Sequence, residues 1–123
     1  MTQILLDAKA LADLTIEGLL EKKGKKIVRL DLRKSDGAVT DFFVICTGTS
    51  DTHVEALADS VTRMVREQSQ EKPAHTEGMG AAEWVLLDYI NVVVHIFQEE
   101  KRNFYRLEHL WGDADTTRIE ESF

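Results

Sequence analysis

Phe42-Phe43-Val44-Ile45-Cys46-Thr47-Gly48-Thr49-Ser50-Asp51 decides the architecture of this chain. Phe42 to Cys46 is apolar throughout, so a strand here needs cover on both faces. Gly48-Thr49-Ser50 then leads into Val54, Leu57, Ala58, Val61, Met64 and Val65, which recur at a helical period. Thr52 and Glu55 have capping-box spacing, and Ser50 is an alternative N-cap. Val92-Val93-Val94-His95-Ile96-Phe97 shows the doubly apolar pattern again. Two such strands require layers on both sides of a sheet.

Working outward, residues 3–23 read as an amphipathic helix. Ile4, Ala8, Leu11, Thr15 and Leu19 form its stripe, widened by Leu5, Ala12, Ile16 and Leu20. Gly24 is expected to end it as a left-handed cap. Ile27 to Leu32 alternates as a strand with one wetter face, and Ser35-Asp36-Gly37 is a turn. Residues 73–82 read as a loop. Trp84 to Asp88 is a third strand, joined through Tyr89-Ile90-Asn91 to the strand at 92–97 as a hairpin. Gln98 to Leu110 reads as a terminal helix with Phe104, Leu107 and Trp111 inward, and the tail from Gly112 is expected to be loose. The pattern predicts one α/β domain over residues 1–123, a mixed β-sheet flanked by helices.

The 123 residues suffice for one core, and 43% hydrophobic with 30% charged residues is ordinary for a globular protein. No apolar run approaches the ~20 residues that span a bilayer. Met1-Thr2-Gln3-Ile4-Leu5-Leu6-Asp7 lacks a basic, then apolar, secretory pattern, and Cys46 is the single cysteine. Both features lead to an expectation of the cytoplasm and of no membrane association. Net charge is −7 and uneven: residues 1–40 carry eight Lys/Arg against six Asp/Glu, and residues 41–123 seven against sixteen. The acidic part argues against direct binding of a phosphate backbone and suits a basic protein partner, although acidity also serves solubility.

Gly48-Thr49-Ser50 is the most enzyme-like feature. A small-residue turn at a helix N-terminus can hold phosphate, and nucleotidyltransferases combine such a turn with paired carboxylates for Mg²⁺. Asp-x-Asp occurs only at Asp113-Ala114-Asp115, while Asp41 and Asp88 stand singly at strand ends. A turn that simply caps its helix is the plainer reading. Cys46, within Phe-Val-Ile-Cys, reads as a small buried residue rather than a nucleophile. His53, His75, His95 and His109 show no metal-ligand spacing, so no metal site is expected, and His95 on a core strand reads as a hydrogen-bonded structural histidine. Lys22-Lys23-Gly24-Lys25-Lys26 is the one basic cluster; a solvated helix end explains it, with minor RNA contact as the alternative. At the hairpin, Trp84 and the apolar tip Tyr89-Ile90 suggest an interaction surface, against the reading that they fold back into the core.

Several segments resemble the bacterial ribosomal silencing factor (Iojap-like) family. They are Asp41-Phe42-Phe43-Val44-Ile45-Cys46-Thr47-Gly48-Thr49-Ser50-Asp51-Thr52-His53-Val54, Glu77-Gly78, Glu83-Trp84-Val85-Leu86-Leu87-Asp88-Tyr89, Val92 to Phe97, and Arg102 to Ala114. The resemblance implies an α/β fold like a nucleotidyltransferase without its catalytic carboxylates, and no enzyme activity or cofactor. It implies binding to the large ribosomal subunit at ribosomal protein L-fourteen, which blocks joining of the small subunit and so represses translation. It places the contact on the Trp-containing strand and its hairpin, here Trp84, Val85 and Tyr89, with Tyr105 on the terminal helix as a neighbour, and Ile90 at the departing tip adds an apolar group where the partner should sit. Many relatives have Gly-Asp where this chain has Ile90-Asn91. A nucleotide-binding enzyme, or an interaction domain for another partner including a homodimer of the free protein, are the other readings.

Overall fold

The computed structural model describes residues 6–120. Asp7 caps the first helix, α1 (Ala8–Glu21), by accepting the Ala10 N–H at 2.7 Å. Ile4 and Leu5 of the expected stripe lie outside the described residues. The left-handed residue after α1 is Lys23, at φ 62°, and not Gly24. Gly24 meets a different need: a Cβ there would stand 2.6 Å from the Cys46 Sγ.

Strands β1 (Lys25–Asp31) and β2 (Phe42–Gly48) pair antiparallel across the Ser35 to Gly37 turn. Ser50 caps α2 (Asp51–Ser69) through its hydroxyl, which accepts the His53 N–H at 3.1 Å, so the alternative N-cap is the one used. The expected loop at 73–82 contains a short edge strand, β3 (His75–Glu77), paired with β4 (Trp84–Asp88). β4 turns back into β5 (Val92–Gln98).

The terminal helix departs most from expectation. Arg106 adopts a left-handed conformation (φ 51°, ψ 53°) and divides it into α3 (Glu99–Tyr105) and a single turn, α4 (Leu107–Leu110). The break rotates Phe104 outward, 76% exposed, while Leu107 and Trp111 pack against the sheet as expected. The tail is not loose: β6 (Asp115–Arg118) pairs antiparallel with β1. An unpaired strand edge recruits such a segment through backbone hydrogen bonds, with no β6 side chain buried, and the Arg29 guanidinium adds a bond to the Thr117 hydroxyl at 3.4 Å.

The sheet has six strands in the order β3-β4-β5-β2-β1-β6, with β2 and β5 parallel at its centre and antiparallel pairs outside. It is the expected single mixed α/β domain. The larger core lies between one face and α1 with α2, and includes Leu19, Phe42, Val44, Cys46, Leu57, Val61, Val85, Val94 and Ile96. Each such side chain contributes about 1.5–3 kcal/mol by leaving water. Gly18 lets the two helices touch, since a Cβ there would meet the Val61 Cα at 2.9 Å, and Ser60 bonds the Gly18 carbonyl at 2.7 Å. Val28, Leu30, Leu32, Ile45 and Phe97 form a smaller core on the opposite face, beside Trp84, Leu107 and Trp111. Arg102 ties α3 to that face, donating to the Lys26 carbonyl (2.6 Å), the Thr47 hydroxyl (2.9 Å) and Glu108 (3.0 Å).

Candidate functional site

Strand alternation sorts the hairpin residues. Val85 and Leu87 point toward α1 and α2 and belong to the larger core, whereas Trp84 lies on the other face. Val85 is 0% exposed, which removes it from the expected contact surface. Tyr89 shares the inward parity and is 6% exposed, so it too is corrected from contact to core. Burial pushes its phenol up to about 12, partly opposed by the neighbouring Thr62 hydroxyl.

Ile90 is 61% exposed at the tip. The Asn91 N–H donates to the Tyr89 carbonyl at 2.9 Å across Ile90, whose φ is 75°, so the tip is a γ-turn. Positive φ is strained for a β-branched residue. Asp88 steadies the turn by accepting the Ile90 N–H at 2.8 Å, and the Asn91 carbonyl accepts the Asp41 and Phe42 N–H groups at 3.1 Å. Ile90→Gly is expected to raise stability by about 1 kcal/mol, because the relieved strain exceeds glycine's entropy cost. Urea denaturation checks this, and a clear loss would contradict the strained turn.

Trp84 sits half-buried at the other end of β4, six residues and about 20 Å of strand away from the tip. Its ring stacks on Phe97 (centroids 4.9 Å apart) and lies 4.5 Å from the ring of Tyr105. Tyr105 is 41% exposed and meets Phe104 edge-on at 5.1 Å. Under Trp84, the indole N–H donates to the His95 Nδ1 at 3.1 Å, and Phe43 meets the His95 ring edge-on at 4.6 Å. His95 is thus the hydrogen-bonded core histidine expected from the sequence. Burial lowers its pKa to about 4, partly opposed by the charge of Asp88.

Of the expected contact residues, Trp84 and Tyr105 come together, Ile90 stands apart, and Val85 and Tyr89 are inside. Sequence reasoning missed Phe104. The adjacent Phe104-Tyr105 pair was the available signal, but the helical period assigned Phe104 to the interior.

The Gly48-Thr49-Ser50 turn is occupied from within the chain. The Thr49 N–H donates to the His53 Nδ1 at 2.9 Å, and the His53 Nε2–H donates to the Lys22 carbonyl at 2.8 Å. Asp41 and Asp88 sit at the hairpin-tip end of β2 and β4, a strand length from this turn. Among the described residues, no three His, Cys, Asp or Glu side chains converge as a metal-binding group. No described helix is long and apolar enough to cross a membrane. Cys46 is fully buried.

Fold and site define a single-domain, mixed-sheet α/β protein that presents a small aromatic face beside its second core. The chain matches, over residues 6–122, the family described as ribosomal silencing factor during starvation, and it belongs to that family. A ribosomal silencing factor of Halalkalibacterium halodurans is 39% identical over 110 residues, covering 89% of this chain and 92% of the relative. A crystal structure of a Chromobacterium violaceum protein superposes with a TM-score of 0.82 at 32% identity, covering 95% of this chain and 97% of the other. A mouse protein named mitochondrial assembly of ribosomal large subunit protein 1 is 34% identical over 74 residues, 58% of this chain and 32% of its own length.

Proposed function

We propose that this protein is a cytoplasmic translational repressor. It binds the large ribosomal subunit at ribosomal protein L-fourteen and sterically prevents the small subunit from joining. Family membership supports the ribosome as its target, and the mouse relative's name supports the large subunit. The observation that carries the choice of face is the Trp84–Tyr105–Phe104 group. These aromatic rings pack on one another yet leave Phe104 76% and Tyr105 41% exposed. Exposed, pre-packed aromatic side chains are what a protein interface uses as anchors. The acidic balance of residues 41–123 adds attraction toward a basic ribosomal protein. Ile90, at the other end of the hairpin, is a second and separate contact in this reading, and Lys22 to Lys26 contribute at most a minor RNA contact. The repression needs no chemistry, because a bound rigid domain excludes the incoming subunit by occupancy.

Trp84→Ala is expected to weaken large-subunit binding by about 2 kcal/mol or more, with native circular dichroism retained. Co-sedimentation with purified large subunits measures it, and unchanged binding removes Trp84 from the contact. Self-association is favoured as a second reading by exposed Phe104 and Leu110 (70%). A homodimer that persists when large subunits are added would support that reading over the first. For the nucleotide-binding alternative, the Thr49 N–H already engaged by His53 is unfavourable. A thermal shift with nucleotide and Mg²⁺ would revive it.

A further inference from the structure

An indole side chain has two wells about its second torsion, related by a half-turn of the ring. Contact with the stacked Phe97 ring and the tilted Tyr105 ring distinguishes these wells poorly, because each presents only a hydrocarbon π-surface to the indole. The group that tells them apart is the indole N–H, and in this structure it points at the His95 Nδ1, 3.1 Å away. We propose that His95 is a positioning residue for Trp84, selecting one of the indole's two orientations and so presenting the aromatic face ready-made to its partner. The proposal rests on the reading of Trp84 as a docking anchor.

Three features support it. First, a nitrogen that accepts from the indole carries no proton, so the neutral ring must hold its hydrogen on Nε2. That atom is buried with no hydrogen-bond partner among the described residues. A residue kept only for packing would avoid this loss, since a phenylalanine fills the space without a buried donor. The arrangement makes sense if the Nδ1 contact is what the residue supplies. Second, the acceptor role needs His95 to stay neutral, because a protonated ring would set two donors against each other. His95 is 4% exposed among Phe43, Trp84 and Phe97, surroundings that disfavour the cation, and Asp88 is the acidic group whose charge acts the other way. Third, the placement is built by the register: Trp84 pairs with Phe97 and Leu86 with His95, so His95 lies diagonally beneath the indole on the same sheet face. An anchor already held in its bound orientation loses less freedom on association.

The test begins with nitrogen-15 spectra of the full chain carrying Trp111→Phe, so that Trp84 is the sole indole. The expected result is His95 with an unprotonated Nδ1 and a protonated Nε2, and a Trp84 indole proton slow to exchange. The opposite tautomer, or a freely exchanging indole proton, overturns the proposal without any ribosome. His95→Phe should then shift the indole resonance and weaken large-subunit binding about tenfold, while His95→Gln, which keeps an acceptor, should recover part of the loss. In a Trp84→Phe background, which has no ring N–H, His95→Phe should cost nothing further. Equal losses in both backgrounds would mark His95 as merely structural and overturn the proposal. If Trp84→Ala binds normally, the docking reading fails instead, and the tautomer result stands apart from it.

Discussion

Gly78→Ala is expected to destabilise the protein by about 4 kcal/mol, the sum of left-handed backbone strain and a steric clash that must be relieved by moving backbone. Gly78 has φ 87°, and a Cβ there would lie 2.0 Å from the Trp84 carbonyl oxygen and 3.0 Å from its carbon. Nothing flexible stands in the way that could swing aside. The loop is pinned on both sides of this point: Glu77 pairs with Leu86 in the sheet, and the Ala82 N–H donates to the Gly78 carbonyl at 2.9 Å. The substitution therefore pushes directly on the first residue of β4, which carries the indole. For a domain of this size the loss corresponds to a Tm lower by about 15 °C. Calorimetry checks it, and a drop of only about 3 °C would contradict the close approach of loop and strand. The same variant should bind large subunits poorly even at temperatures where it remains folded.

Acid should weaken the fold through His95. Its pKa is about 4 in the folded protein against 6.5 for a free histidine, because burial penalises the charged ring. Between these values the unfolded chain binds the proton more readily, so stability rises with pH through this window. The neutral ring's contribution is fully present above about pH 6.5 and is lost as pH falls toward about 4, for a total of roughly 3 kcal/mol. Asp31 and Glu99 act lower on the scale. Hydrogen bonding to Arg33 and Lys26, respectively, holds each carboxyl below its ordinary value, so their contributions disappear only under stronger acid. Urea denaturation of the native chain and of His95→Phe at several pH values isolates the effect. The difference between them should change across pH 6.5 to 4. A constant difference would contradict a buried neutral histidine.

Much of the fold was legible because hydrophobic period and burial agree. Phe42 to Cys46 and Val92 to Phe97, apolar at every position, are the central strands with cores on both faces. The missed elements are those that side-chain pattern does not specify. β6 is exposed at all four residues and is held by backbone pairing to β1, so its sequence carries no period. The break at Arg106 uses neither glycine nor proline, and it reverses the side on which Phe104 emerges. In the candidate site, Trp84 stood out in the sequence as an aromatic at a strand start, whereas Tyr105 came only from the family resemblance; the structure brings their rings to 4.5 Å. Val85 and Tyr89 were expected at the contact because the family resemblance marks the Trp-containing strand and its hairpin as a whole. A strand shows alternate residues to opposite faces, and both lie on the helix-covered side. The γ-turn at Ile90 was hidden because positive φ is ordinarily signalled by glycine.

The most direct test of the central claim is subunit joining on sucrose gradients. Purified large subunits are incubated with the native chain or with Trp84→Ala, small subunits are added, and free and joined particles are quantified. The native chain is expected to sediment with the large subunit and to hold subunits apart. Trp84→Ala, folded by circular dichroism, is expected to do neither at the same concentration. Joining that proceeds unhindered with the native chain bound to the large subunit would contradict the account, as would full blocking by Trp84→Ala.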